Sequence, residues 1–338
     1  MSRDAMLLVD ALRYPASTDS LDVDGWTALL AMARAEQLIG TLARRLFGLP
    51  MPDAVARILD EARVNAEYQR RSALWEADCA RRALGDYSGK VVLMKGTAYA
   101  AAGLKASEGR HIGDLDIMVA RGDLPPVEAA LLSAGWEWVK EDAYDDAYYR
   151  DHMHELPPLI HKERDRMIDV HHTILPLTAR PKPDAAAMLA DAMVLENGLY
   201  VFSPADMVIH SAAHLFADGE LDGGLRNLWD IHCLLTEGAE SDEKFWPSLQ
   251  SRAQHHQLWG AVHLAARLAW DLYGTDIPAS WQIWGNADSL FVRRLTARDD
   301  WSRGTRKFIR LIFYIRSHWL RMPPLMLAEH LWVKWRKG

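Results

Sequence analysis

Three aspartates and a short lysine-glycine segment carry the residue types and spacing that phosphate chemistry needs. In Gly113-Asp114-Leu115-Asp116-Ile117-Met118-Val119 two acids stand two positions apart in a run that reads as a β-strand from Asp114 to Ala120. Side chains alternate faces along a strand, so Asp114 and Asp116 project together while Leu115 and Ile117 turn to the core. Paired carboxylates repel each other unless a cation intervenes. Such an oxygen-rich pair suits Mg²⁺, which takes one or two protein carboxylates and completes its shell with water and substrate phosphate. The bland alternative is a strand end whose acids face water. Downstream, Met167-Ile168-Asp169-Val170-His171 puts Asp169 and His171 on one face of an otherwise apolar strand, where burial of an acid is costly without a cation or a partner. Upstream, Met94-Lys95-Gly96-Thr97 ends a strand and enters a helix. Such a junction offers backbone N–H groups and the positive end of the helix dipole to a phosphate. Gly96 permits close approach there, and Lys95 and the Thr97 hydroxyl add contacts.

Other polar clusters have simpler explanations. Asp206, His210 and His214 recur every four residues and share a helix face, but lack the spaced third ligand of a zinc motif, so hydrogen bonding is the better reading. The segment Tyr144 to Leu159 mixes acids and tyrosines with His152, His154 and Pro157-Pro158 and reads as a solvated loop beside an acceptor site. His161 and His172 receive the same reading. Arg293 to Lys337 is rich in Arg, Lys and Trp. A basic amphipathic helix there would suit an anionic membrane or RNA, but tryptophans packed on a helical core with solvated arginines explain it more simply.

The elements that must position the aspartates fall into three segments. Residues 1–88 form a helical leader: apolar residues recur at helical spacing from Trp26 to Phe47, and a longer helix runs from Pro52 to Leu84 after the Gly48-Leu49-Pro50-Met51-Pro52 break. Residues 89–202 alternate strand and helix, the signature of an α/β core. Its strands read as Val91–Met94, Asp114–Ala120, Trp136–Lys140, Leu159–Lys162 and Met167–Ile174. Its helices run from Ala98 to Leu104 and from Pro125-Pro126 to near Gly135. Residues 203–338 are helical again, opening on the capping sequence Ser203-Pro204-Ala205-Asp206. The predicted fold class is therefore α+β, a mixed-sheet core flanked by helices.

Composition narrows the function classes. With 49% hydrophobic and 25% charged residues the chain has the make-up of a globular protein with a real core. A formal charge of -7 argues against broad nonspecific binding to nucleic acid, which requires a positive field. The two cysteines, Cys79 and Cys233, do not make a disulfide framework and fit a reducing compartment. No secretory leader and no membrane-spanning run is legible, because Arg310 and Arg316 interrupt the most apolar stretch, Phe308–Leu320. The expected location is the cytoplasm.

Taken together, Met94-Lys95-Gly96-Thr97, Asp114-Leu115-Asp116 and Asp169 resemble the pattern of the DNA polymerase β-like nucleotidyltransferase superfamily: an apolar residue, a glycine with a small neighbour, an acid-apolar-acid strand and a later third acid. The narrower resemblance is to a largely uncharacterised bacterial nucleotidyltransferase family. It extends to the helical leader, to Arg110 shortly before the acid pair, to Asp169-Val170-His171, to His214 and to Leu225-Arg226-Asn227-Leu228-Trp229-Asp230. It covers roughly residues 25–240. Two departures stand out: Thr97 replaces a Gly or Ser, and the interval to Asp114 is long, implying an enlarged loop from Lys105 to Gly113.

The resemblance implies transfer of an NMP group from a nucleoside triphosphate to an acceptor, with release of pyrophosphate. Asp114, Asp116 and Asp169 would be the catalytic and metal-holding residues, with Mg²⁺ as the ion or Mn²⁺ in its place. Lys95, Gly96, Thr97, Arg110, His214 and Asp230 would bind the nucleotide. It does not select among a sugar, another small molecule, a protein side chain or RNA as acceptor, nor an oligomeric state. The rival readings are a nucleotide-binding regulator without turnover and a helical interaction protein. A helical metal phosphohydrolase is disfavoured because the chain contains no His-Asp dipeptide.

Overall fold

The computed structural model describes residues 4–140, 142–217, 221–321 and Trp332. In chain order the elements are α1 (Met6–Arg13), α2 (Val23–Ala35), α3 (Ile39–Arg45), α4 (Asp53–Ala83), β1 (Val92–Leu93), α5 (Lys95–Ala101), β2 (Leu115–Met118), α6 (Leu124–Ser133), β3 (Trp136–Trp138), α7 (Ala143–His152), β4 (Leu159–His161), β5 (Met167–His171), α8 (Ala185–Ala190), β6 (Met193–Val194), β7 (Tyr200–Val201), α9 (Pro204–Ala217), α10 (Gly224–Ser241), α11 (Phe245–His255), α12 (Trp259–Tyr273), α13 (Asp288–Leu295) and α14 (Lys307–Arg321). The fold is α+β. Its seven described strands form one open mixed sheet, ordered β3-β4-β5-β2-β1-β7-β6.

The centre of that sheet sets the geometry of the site. Strand β2 pairs in parallel with β5, placing Asp116 opposite Asp169 and Met118 opposite His171. On its other side β2 pairs antiparallel with β1. Both faces of β2 are buried, which explains why it reads as a nearly continuous apolar run interrupted by acids. One hydrophobic cluster extends from Ala5 through the sheet to Phe313, so all three segments of the chain share a core.

Several elements depart from the sequence reading. The helix expected over Trp26–Phe47 is two helices, α2 and α3. They break at Gln37, whose φ of 55° lies in the left-handed region, while the amide of Leu38 closes back on the Ala33 carbonyl. Buried Glu36 pins this corner by accepting from the Leu225 amide and pairing with Arg298. The segment read as a solvated loop contains α7, held by Arg150, which bridges Asp146 one turn away and Glu128 on α6. Helices α8 and α11 and the β6–β7 hairpin were not legible, the hairpin because two-residue strands have no period to read. The serine cap is present: Ser203 Oγ accepts from the Asp206 amide at 3.2 Å.

At the C-terminal end the packed-tryptophan expectation is corrected for its described residues. Trp301, Trp319 and Trp332 are 70%, 42% and 54% exposed, and Phe308, Leu311, Ile312 and Ile315 of α14 are also exposed. Only the opposite face of α14 docks, through Phe313 against Phe291. The rest of that basic stretch lies outside the described residues. Among the described residues no helix is long and apolar enough to cross a membrane.

The leader and the loop before β2 meet backbone to backbone. A methyl on Gly40 of α3 would stand 2.4 Å from the Gly109 carbonyl oxygen and 2.9 Å from Ala66 Cβ. Gly40→Ala is expected to destabilise the protein by ~1–3 kcal/mol, the usual cost of overpacking. Urea denaturation checks this as a lower midpoint at unchanged slope.

Candidate active site

The β1–α5 junction and the start of β2 open onto a cavity of about 310 Å³. Lys95, Gly96, Arg110, Asp114, Asp116, Asp169, His214 and Asp230 all line it, so the structure brings together every predicted site residue except Thr97. Thr97 is 1% exposed, and its hydroxyl has no hydrogen-bond partner among the described residues. It faces the core, so the junction meets the cavity through Lys95 and Gly96. Asp114 sits one residue before β2 and is exposed, whereas Asp116 lies within the strand and is buried.

Asp116 is the most heavily engaged of the three acids. Its Oδ1 accepts from Lys95 Nζ at 2.6 Å and contacts His171 Nε2 at 3.0 Å. Burial alone would raise its pKa, but the Lys95 charge and the His171 hydrogen bond hold it well below the carboxylate range. Burial likewise disfavours the charge on Lys95, and Asp116 more than offsets this, raising its pKa. Lys95 reaches Asp116 from a backbone with φ of 49°, a left-handed conformation that costs a non-glycine residue about 1–2 kcal/mol.

Asp169 has the opposite character. Burial, then the charges of Asp116 and Glu155, push its pKa up to about 7. This concentration of negative potential is where the residues fit a divalent cation. Asp116 and Asp169 share a face, and Asp114 lines the same cavity. Among the described residues, however, the three aspartates do not converge as tightly as a second set, His154, Glu155 and His171, whose ligand atoms lie within 4.8 Å of one another.

The opposite wall comes from the helical segments. Arg110 donates from Nε to both Asp230 carboxylate oxygens, at 3.1 and 2.9 Å, and lies 5.5 Å from the Tyr99 ring centre. Both partners of the pair are buried. Burial raises Asp230, and Arg110 opposes that rise. Gly96 is required here for a different reason from the predicted one: a Cβ would lie 2.1 Å from Arg110 Nη1, so the glycine makes room for this guanidinium. His210 is buried, and desolvation, followed by the nearby Lys95 charge, drives its pKa well down.

Arg226 and Gln37 are among the wall residues not assigned from sequence. Arg226 lines the cavity and donates to the neutral amide oxygens of Asn227 and Gln37. The available signal was its position one turn before Asp230 on the same helix. Gln37 is brought there by the α2–α3 break, which single-helix periodicity concealed. Of the Asp206-His210-His214 row, only the histidines reach the cavity. Asp206 is instead clamped by Arg252 at 2.8 Å and stands beside His256 at 3.3 Å.

A profile described as "uncharacterised nucleotidyltransferase" matches residues 22–274. The chain belongs to this family. It is a nucleotidyltransferase, and the match runs from the Asp22 cap of α2 to the Gly274 cap of α12, beyond the limit near residue 240 read from sequence. No curated protein matches the chain. In the transferase, the family region therefore includes both cavity walls, from Gln37 to Asp230.

Two outcomes follow from the buried charges. Asp230→Ala strands Arg110 without its counter-ion and is expected to cost ~3–5 kcal/mol, with part of the stability regained in Asp230→Ala/Arg110→Met; thermal unfolding of both variants checks this. For Asp169, an acid raised in the folded state keeps its proton while the unfolded chain loses its own. Its contribution to stability is therefore present below about pH 4 and is lost as pH rises through about 7. In chelated buffer, Asp169→Asn should gain stability relative to wild type across that window and level off above it. A flat difference in melting temperature would contradict the assignment.

Proposed function

We propose that this nucleotidyltransferase moves an NMP group from a nucleoside triphosphate to an acceptor hydroxyl, using Mg²⁺, or Mn²⁺ in its place, held by Asp114, Asp116 and Asp169. The observation that carries this reading is the register of β2 and β5, which sets Asp116 beside Asp169 on the face that opens into the cavity. When bound, the divalent ion would supply charge neutralisation for the triphosphate.

The chain's own groups then divide the work. Lys95 and Arg226 are the cationic side chains best placed for phosphate oxygens, and Arg226 suits this role because its hydrogen-bond partners are neutral amides. Arg110, already committed to Asp230, shapes the wall and adds positive potential. Gly96 keeps that guanidinium in place, Thr97 supports the junction from the core side, and His214 lines the nucleotide end. Asp169 shares in holding the ion or, where no ion sits on it and its pKa is near 7, accepts the proton of the acceptor hydroxyl as general base. As that oxygen bonds to the α-phosphorus, the bond to the β-phosphate oxygen breaks and pyrophosphate leaves with the electron pair. The acceptor is a sugar, another small molecule, a protein side chain or RNA. We place the reaction in the cytoplasm, where free Cys79 and Cys233 stay reduced.

One observation favours a second reading. Lys95 Nζ sits 2.6 Å from Asp116 Oδ1, where an ammonium can substitute for a metal's charge, as in a nucleotide-binding regulator without turnover. Pyrophosphate release separates the two, since a regulator binds triphosphate and releases none.

Calorimetric titration of each common nucleoside triphosphate, with and without Mg²⁺, is the direct test. Magnesium-dependent binding is expected for wild type and lost in Asp114→Ala/Asp116→Ala; failure of every triphosphate to bind would sink both readings. Arg226→Ala is expected to weaken triphosphate binding roughly 10–100-fold, the equivalent of one charge-assisted hydrogen bond, while leaving the melting temperature nearly unchanged.

A further inference from the structure

Behind Asp169, a second cavity of about 250 Å³ shares Lys95, Asp169, His210 and His214 with the first and adds His154, Glu155 and His171. We propose that His154, Glu155 and His171 form a separate binding site for a first-row transition cation, with zinc the best match.

Both distances from the carboxylate fit the ion. Glu155 Oε2 lies 3.5 Å from His154 Nε2 and 3.2 Å from His171 Nδ1. Tetrahedral zinc, with bonds of about 2.0–2.2 Å, sets neighbouring ligand atoms roughly 3.3–3.5 Å apart. The 3.2 Å contact does not have hydrogen-bond geometry, and His171 Nδ1 is buried without a hydrogen bond. A ring nitrogen and a carboxylate oxygen that are adjacent but misaligned are what two ligands of one ion look like.

The other nitrogen of His171 supports the same conclusion. Nε2 faces Asp116 Oδ1 at 3.0 Å, and metal-bound histidines commonly give their remaining N–H to a carboxylate, which fixes the tautomer and leaves the opposite nitrogen free to coordinate. The ligands also stand on rigid backbone. Glu155 and His171 form an antiparallel bridge, flanked by hydrogen bonds from the Leu156 amide to Val170 and from the His172 amide to His154, both 2.9 Å. This bridge is offset by one residue from the β4–β5 register, a bulge-like slip that aims Glu155 at the same face as Asp116 and Asp169.

Two imidazoles and one carboxylate favour zinc and its neighbours over Mg²⁺, which prefers oxygen ligands. Three protein ligands beside an open cavity leave a coordination position for water or substrate, unlike a closed structural site. The ion would also hold the His171 proton on Nε2, so that this ring always donates to Asp116. The site thus joins the candidate catalytic acid to a second cavity, and its existence does not depend on nucleotidyl transfer.

The test uses the full chain, stripped with chelator and titrated with Zn²⁺, and with Co²⁺ as a spectroscopic probe. Wild type is expected to take up one equivalent with ligand-field absorption typical of mixed nitrogen and oxygen ligands, unaffected by excess Mg²⁺. Glu155→Gln and His154→Ala should each weaken uptake at least about tenfold, while Asp114→Ala keeps it. If folded Glu155→Gln and His154→Ala bind as tightly as wild type, or if Asp114→Ala alone abolishes uptake, the proposed site is wrong. Triphosphate binding is measured separately, so failure here leaves the nucleotidyl-transfer reading standing and the reverse also holds.

Discussion

The parallel pairing of β2 with β5 is the constraint around which the site is organised, because it fixes two acids at one level of the sheet. Facing carboxylates in a low-dielectric interior cannot both stay ionised without help. The fold resolves the conflict asymmetrically. Lys95 and His171 both approach the same oxygen of Asp116 and keep it charged, leaving Asp169 with a pKa raised first by its burial and then by the neighbouring carboxylates. The strained backbone at Lys95 follows from this, since the left-handed turn between β1 and α5 delivers the ammonium to the acid. Local strain is maintained because the neighbouring strands β1 and β2 are buried on both faces.

Around this pair the helical segments act as walls. The Gly40–Gly109 contact brings the leader against the loop that carries Arg110. Arg110 then crosses Gly96 to reach Asp230 on α10. One chain of contacts thus links the leader, the sheet and the C-terminal helices, and the cavity is bounded by residues from all three. One extended hydrophobic cluster runs through all three segments.

Asp169 lies between two cavities of different chemistry. The first has oxygen ligands and guanidinium groups, suited to a hard cation and phosphates, while the second has imidazoles and a carboxylate on an apolar floor. His171 belongs to both environments, with Nε2 toward Asp116 and Nδ1 toward Glu155. Changes on the Glu155 side are therefore felt at Asp116 through one ring.

The sequence by itself determined the α+β class, the two acid-bearing strands, the family and eight of the residues that line the first cavity. Those features depend on short-range patterns: Asp114-Leu115-Asp116 and Asp169-Val170-His171 alternate on strands, and Ser203 caps a helix within four residues. Tertiary structure decided the rest. It turned Thr97 to the core, made Gly96 a seat for Arg110, brought Gln37 to the cavity at a helix break, and removed Asp206 from its histidines by giving it Arg252. It also drew His154 and Glu155 out of an apparently solvated loop and onto His171, through a bridge with a one-residue slip. Periodicity cannot report such pairings, because it encodes which face a residue occupies and not which distant backbone will lie beside it.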